Sequence, residues 1–182
     1  MKLYNFADVL NFWFKELTPQ QWFAKSDALD DAIKKRFGSM LAAAAQGELW
    51  QWRESPKGRL AEIIVLDQFS RNVYRDTSAA FAQDPMALVL AQEAVSLGID
   101  AEFNAPEKAF LFMPYMHSES AVIHQQAVIL FNQPGLENNY EFELKHKAII
   151  DKYGRYPHRN EILGRESTAE ELKFLQQPGS SF

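Results

Sequence analysis

One stretch of the chain is apolar on nearly every side of a helix. In RLAEIIVLDQFSRNVY, residues 59–74, the apolar positions are Leu60, Ile63, Ile64, Leu66, Phe69 and Val73. A helix without a polar face has to be surrounded by other elements. A buried parallel strand is the alternative for EIIVL, but no glycine turn flanks it. The sequence therefore predicts a central, buried helix.

Most of the remaining chain shows the three- and four-residue apolar spacing of amphipathic helices, and short turns join these segments. Successive short connections favour antiparallel neighbours. We therefore expect an all-α fold of about eight or nine helices stacked as antiparallel hairpins. A single domain would cover residues 1–177, followed by a loose tail over 178–182. No clean period of about 34 residues is present, so a regular repeat array does not follow from the residues.

Several local signals predict where helices begin and end. Asp84 resembles an N-cap, and Ser167 with Glu170 resembles a capping box. Gly154 is expected to close the helix before it. Pro114 should kink or end its helix, because proline cannot donate the backbone hydrogen bond.

Composition narrows the function classes. The 182 residues include no cysteine, which excludes disulfides and thiolate chemistry and fits a reducing compartment. The net charge of −5 disfavours nucleic-acid binding. The N-terminus is interpreted as an amphipathic helix rather than a signal peptide, and no uncharged run is long enough to span a bilayer. We expect a cytoplasmic monomer or homodimer without nucleic-acid or membrane partners.

The buried helix also carries charge. Asp67 and Arg71 are four residues apart and face the same way, with Arg75 one turn further. Asn72 belongs to the same candidate group. Unpaired charges inside a protein are strongly unfavourable, so these groups should have partners. Two interpretations stay open: a structural ion-pair network, or a site that binds an anion.

A second group of donors follows Gly154, in a segment that we call the C-terminal arm, residues 155–165. Its polar members include Arg155, His158, Arg159, Asn160 and Arg165. Together with Arg71 and Arg75, the arm holds five of the eight arginines. Planar arginine suits carboxylate or phosphate recognition. The alternative is structural tethering of the arm to acidic partners. If the arm folds back over the Asp67 helix, both groups share one cleft.

Candidate proton-transfer groups lie in FLFMPYMHSES, where His117 and Glu119 follow Pro114. A proline break beside a histidine and a carboxylate can expose them in a pocket. Alternatively, His117 only fills a polar gap. The four histidines lack the spacing of metal ligands, and there is no GxGxxG, Walker or GxSxG motif. We expect neither a metal nor a cofactor.

Several motifs together resemble one bacterial family, known as domain of unknown function 924. They are WF, LDQFSRNVYR, FLFMPYMHSES and YGRYPHRNEILGRESTAEELKFL, in this order along nearly the whole chain. The resemblance implies an all-helical fold similar to the right-handed superhelices of tetratricopeptide repeats, and it implies no reaction. The positions that match the family's polar signature are Asp67, Gln68, Arg71, Asn72, Tyr74, Arg75, His117, Glu119, His146, Arg155, His158, Arg159 and Asn160.

Three functional hypotheses follow. The first is a polar cleft that binds an anionic small molecule or peptide carboxylate, with the candidate ligands Asp67, Arg71, Asn72, Arg75, Arg155, Arg159 and Asn160. The second is a hydrolase or lyase in the same cleft, with His117 or His158 as general base, poised by Glu119 or Asp67. The third is a scaffold that binds a partner helix or tail, which exposed Trp22, Trp50 or Trp52 would favour.

Overall fold

The computed structural model describes residues 4–181, and over that range the chain is helical with no strand. The α-helices are α1 (Phe6–Asn11), α2 (Pro19–Phe23), α3 (Asp27–Ala45), α4 (Pro56–Ile64), α5 (Ser70–Val73), α6 (Asp84–Ser96), α7 (Ala105–Met116), α8 (Ala121–Phe131), α9 (Glu137–Tyr153) and α10 (Ala169–Leu175). Shorter 3-10 turns cover Trp50–Glu54, Ser78–Phe81, Ile99–Glu102 and Pro157–Arg159, and a π-helical turn over Phe12–Glu16 extends α1. The all-α prediction is confirmed.

A second π-helical turn, Val65–Phe69, joins α4 to α5 in one continuous helix. The apolar side chains of this helix are the centre of the core, and Leu60, Ile63, Ile64, Leu66 and Phe69 are completely buried. Helices α1, α6 and α7 pack against α4, and α3 packs against α5. The prediction of a central buried helix is confirmed.

The second half of the chain is a series of neighbouring helices. Along the chain, α6 contacts α7, α7 contacts α8, and α8 contacts α9. This order fits the expected stack of helix hairpins. Its similarity to tetratricopeptide superhelices stays a prediction.

The helix ends were predicted with mixed success. Gly154 closes α9 in the left-handed conformation, with φ of 68°, as expected. The capping box forms one residue later than predicted, from Thr168 and Glu171, because the Ser167 hydroxyl instead accepts a hydrogen bond from Asn160.

One other local prediction was wrong, and one of two alternatives was ruled out in another. Asp84 is not an N-cap: Gln83 holds that position, and Asp84 is the first residue of α6. The Asp84 carboxylate is bound by arginines instead, as described below. Pro114 does not end its helix, since α7 continues to Met116. The last turns of α7 are buried, and this packing offsets the backbone hydrogen bond that proline removes.

The C-terminal arm lies over the end of α7. Tyr156 is completely buried, and its hydroxyl donates a 2.6 Å hydrogen bond to the carbonyl of Met116. Further on, Ser180 is buried and donates to the carbonyl of Leu175. None of the helices between residues 4 and 181 combines the length and apolar character that crossing a bilayer requires.

Candidate functional site

Five polar side chains from four regions of the fold meet at the C-terminal arm. Asp67 lies on the π-helical turn, Arg71 on α5, Asp84 at the start of α6, His117 at the end of α7 and Arg159 on the arm. We call these five residues the Asp67–His117 cluster. The prediction that the arm folds back onto the Asp67 region is confirmed.

The carboxylate of Asp67 is the buried centre of this cluster. One of its oxygens lies 2.7 Å from Nδ1 of His117 and 3.2 Å from a terminal nitrogen of Arg71. Burial alone would raise the pKa of Asp67, but the charge of Arg71 and the contact with His117 hold that pKa well below its usual range. Asp67 is therefore ionised and can only accept hydrogen bonds.

His117 is consequently fixed in one tautomer. Its Nδ1 donates to the ionised Asp67, so Nε2 carries the lone pair in the neutral ring. Burial, followed by the positive charge of Arg71, lowers the pKa of His117 below 6.5. No residue between 4 and 181 hydrogen-bonds Nε2, and 16% of the side chain is exposed. The ring is therefore neutral at pH 7, and the lone pair of Nε2 is not used by a hydrogen bond from residues 4–181.

Arg71 links the two carboxylates of the cluster. Its terminal nitrogens contact the two oxygens of Asp84 at 2.8 and 3.0 Å, in a bidentate pair. The same guanidinium donates to the backbone carbonyl of Asp67 at 2.8 Å. The prediction that both charges have partners is confirmed: Arg71 contacts Asp67 and forms its bidentate pair with Asp84.

Arg159 reaches the cluster from the arm. Its guanidinium lies between the rings of Phe81 and Tyr156, 4.4 and 4.7 Å from their centroids. One terminal nitrogen donates to the carbonyl of His117 at 3.1 Å, and the other makes a long 3.4 Å contact with Asp84. Burial and then the charge of Arg71 lower the pKa of Arg159.

A second histidine–carboxylate contact, the His124–Glu143 pair, is completely buried nearby. Nδ1 of His124 lies 2.6 Å from Glu143, and Nε2 lies 2.8 Å from the carbonyl of Ser118 and 3.2 Å from the Tyr156 hydroxyl. The other oxygen of Glu143 has no hydrogen-bond partner among the described residues. Burial raises the pKa of Glu143.

The remaining two histidines also pack on Tyr156. The rings of His146 and His158 lie 5.7 and 5.6 Å from the tyrosine ring. Burial lowers the pKa of His146 to about 3, and burial together with the neighbouring Arg159 lowers that of His158 to about 4. Within residues 4–181, no three histidine or acidic side chains are arranged to hold a metal ion.

The structure does not bring every predicted ligand residue into the cluster. Arg75 and Asn72 both donate to Asp30, with the guanidinium of Arg75 in a bidentate pair. Arg155 donates bidentately to Glu171. Of the four arginines among the candidate ligands, only Arg71 and Arg159 lie in the cluster.

Glu119 and Asn160 hold the arm in place. Glu119 accepts two hydrogen bonds from Arg165 and one from the backbone of Tyr156, and its pKa is lowered despite burial, chiefly by Arg165. Asn160 accepts from Arg165 and donates to Ser167. The outer side of the arm lines a groove of about 680 Å³ that includes His158 and none of the five cluster residues.

Two residues of the site were missed at the sequence level. Asp84 was interpreted as a helix cap, and Phe81 lies in a 3-10 turn that has no distinctive spacing. An aspartate at the first turn of a helix is so common a capping signal that its pairing with distant arginines has no local signature. Only the tertiary contacts of Arg71 and Arg159 show its role.

Comparison with known proteins agrees with the fold. The family model described as bacterial protein of unknown function (DUF924) matches residues 9–179. A solved structure of a protein of unknown function, ATU0120 from Agrobacterium tumefaciens, is 38% identical, covers 94% of this chain and 96% of its own, and superposes with a TM-score of 0.89. No curated protein matches the sequence. The chain belongs to this bacterial family of unknown function.

Proposed function

We propose that this protein is an enzyme, a hydrolase or lyase, in which His117 acts as the general base. The observation that supports this proposal is the 2.7 Å contact between Nδ1 of His117 and the buried carboxylate of Asp67. A carboxylate behind an imidazole orients the ring and stabilises the imidazolium that forms when the ring takes a proton. Histidine is the side chain most often used in this role.

The chemistry follows from the position of the free lone pair. In a hydrolase, Nε2 of His117 takes a proton from water as the water oxygen attacks the substrate. In a lyase, it takes the proton from a carbon next to the bond that breaks. In both cases the proton can then return to the leaving group, and Asp67 stays ionised throughout.

The other candidate bases are less suited to this task. Glu119 is saturated with hydrogen bonds from Arg165 and Tyr156, and these hold its pKa low. His158 has a pKa of about 4 and packs on Tyr156. His117 combines an oriented carboxylate with a reachable ring nitrogen.

The scaffold hypothesis has less support. Trp52 is buried, and the indole of Trp22 is half-buried and donates to the carbonyl of Trp13. Trp50 alone of the three candidate indoles is more than half exposed. The three tryptophans therefore do not form the exposed patch on which that hypothesis depends.

Diethyl pyrocarbonate, which acylates accessible neutral imidazoles, tests the base directly. We expect His117 to react at least about tenfold faster than His124, because His124 is completely buried. That ratio corresponds to a barrier difference of about 1.4 kcal/mol. The reaction is followed by peptide mass spectrometry. The His117 rate should fall in acid with an apparent pKa below 6.5, because the pKa of this ring is lowered.

A substrate panel then tests the reaction class. Purified native protein and His117→Gln are compared on ester, phosphate-ester and amide substrates across a pH series. We expect a pH-dependent activity that the variant loses, with Lys147→Gln, a change on the outer part of α9, as the matched control. Inactivity of the native protein across the panel, or equal activity in the variant, would contradict the proposal.

A further inference from the structure

We infer that Arg159 binds a carboxylate or phosphate group of the molecule on which His117 acts. This inference rests on the proposed function and deepens it, because it names the substrate class: small molecules that carry such an anionic group close to the reacting bond. Arg159 would be a binding residue, and His117 the proton acceptor beside it.

The first argument is the shortage of acceptors around Arg159. A guanidinium has five N–H donors. Two of them meet an acceptor among the described residues: the carbonyl of His117 at 3.1 Å and, at the long distance of 3.4 Å, Asp84. Nε is buried and has no hydrogen-bond partner in that part of the chain. With only 8% of the side chain exposed, bulk water cannot supply the remaining acceptors fully.

The second argument is a contrast within the same arm. Arg155 donates to both oxygens of Glu171, and Arg165 donates to both oxygens of Glu119. The side chains of Arg155 and Arg165 are 28% and 25% exposed, whereas that of Arg159 is 8% exposed. Structural tethering of the arm is thus complete at Arg155 and Arg165. The most buried of the three arginines is the one that lacks a bidentate carboxylate.

The third argument is the rigid orientation of the guanidinium. The rings of Phe81 and Tyr156 lie on it at 4.4 and 4.7 Å, and Tyr156 is itself immobilised by its hydrogen bond to Met116. Such stacking fixes the plane of an arginine and leaves its edge for hydrogen bonding. Bidentate binding of a carboxylate or phosphate uses that edge.

The fourth argument is position. Arg159 donates to the backbone carbonyl of His117, so the cation lies next to the proposed base. Arg71 shares Asp84 with Arg159 and adds a second positive charge. The cluster also has a solvent-facing side, since Arg71, Asp84 and His117 keep 19%, 16% and 16% of their side chains exposed. On this inference, a small anion would enter the cluster at the exposed parts of these three side chains.

Thermal denaturation of the full chain with sodium acetate or sodium phosphate tests the inference, with sodium chloride at equal ionic strength as the reference. A ligand that binds the native state raises the melting temperature. We expect acetate, phosphate or both to raise it above the chloride reference in a saturable way, unlike the steadily increasing stabilisation by salts that are excluded from the protein surface. A response to acetate alone identifies carboxylates, and a response to phosphate alone identifies phosphate esters.

Variants locate the binding. Arg159→Gln should abolish the anion response, and Arg159→Lys, which keeps the charge without the planar fork, should raise the dissociation constant by roughly tenfold. Phe81→Leu removes one of the two rings that orient Arg159 and no hydrogen bond, so we expect it to weaken the anion response. It therefore tests the site even if Arg159→Gln fails to fold. Arg165→Gln is the matched control from the same arm and should retain the response.

The outcomes separate this inference from the proposed function. The role of Arg159 is overturned if the native protein shows no anion response above chloride, or if Arg159→Gln and Arg159→Lys respond as strongly as the native protein. Either outcome leaves the reactivity of His117 standing. Anion binding that persists in His117→Gln supports the inference by itself. Binding accompanied by inactivity across the substrate panel would count against the general base alone.

Discussion

Two histidine–carboxylate contacts lie close together in this protein, and they differ in what surrounds them. In both, Nδ1 of the histidine faces a carboxylate, at 2.7 Å for His117 with Asp67 and 2.6 Å for His124 with Glu143. The other ring nitrogen decides what each can do. Nε2 of His124 contacts the Ser118 carbonyl, whereas Nε2 of His117 has no partner within residues 4–181.

The carboxylates differ for an electrostatic reason. Asp67 has Arg71 beside it, so its pKa is lowered although it is buried. Glu143 is equally buried and has no arginine partner, so burial raises its pKa. A buried acid without a cation prefers its neutral form. The same pair of residue types therefore gives a possible proton acceptor in one place and a structural hydrogen bond in the other.

The largest expected effect is on the buried His124–Glu143 pair, which we call the closed pair. Glu143→Ala should lower the free energy of unfolding by about 3 kcal/mol, because it leaves His124 buried without its hydrogen-bond partner. Urea denaturation measures this. The control is Glu141→Ala on the exposed side of α9, which should change stability by less than about 0.5 kcal/mol. Equal effects of the two changes would mean that the closed pair does not stabilise the fold.

Acid should destabilise the folded protein through the buried histidine His146. The pKa of His146 is about 3 in the folded protein against 6.5 ordinarily, so between these values the unfolded chain binds a proton that the folded chain does not. Stability therefore falls as pH drops below about 6.5, by about 1.4 kcal/mol per pH unit for this histidine.

His146→Gln should flatten the pH dependence by that amount, measured by urea denaturation at pH values between 7 and about 5. Glu143 acts in the opposite direction, because its raised pKa adds a proton to the folded state. The difference between native and variant slopes isolates His146. An unchanged slope would show that His146 already carries its proton in the folded protein.

A smaller effect is expected from Tyr156→Phe. The change removes the hydroxyl that donates to Met116 and contacts His124, and it leaves the ring stack on Arg159 in place. We expect a loss of about 1 kcal/mol in unfolding free energy. Tyr74→Phe, at an exposed position, is the control. A loss no larger than that of the control would mean that the Tyr156 hydroxyl does not stabilise the fold.

The smallest effect is expected at the pair of His117 and Asp67, which we call the open pair. His117→Gln should change the unfolding free energy by less than about 1 kcal/mol, because glutamine can still donate to Asp67 and the side chain is partly exposed. The same urea experiment applies. A loss as large as that of Glu143→Ala would show that His117 is a structural residue, and the contrast between the two pairs would disappear.

Much of the fold could be predicted from local sequence. The apolar surround of residues 59–74 predicted the central helix, and the four-residue spacing of Asp67 and Arg71 predicted that they face the same way. Helical periodicity and turn residues act over a few neighbours, so they are visible in a single sequence. Of the two outcomes predicted at Pro114, a kink or a helix end, the end did not occur, because tertiary packing outweighed a local signal.

The sequence by itself determined an all-helical chain with five of its eight arginines concentrated in two segments, since residue type and spacing are local properties. Only the tertiary structure decided which charges meet. Asp30 takes Arg75 from 45 residues away, and Asp84 is shared by Arg71 and Arg159, which lies 75 residues away. Ion pairing depends on distance in space and on burial, and neither is written in the spacing of one segment. The same packing closed the ring of His124 and left that of His117 within reach of solvent.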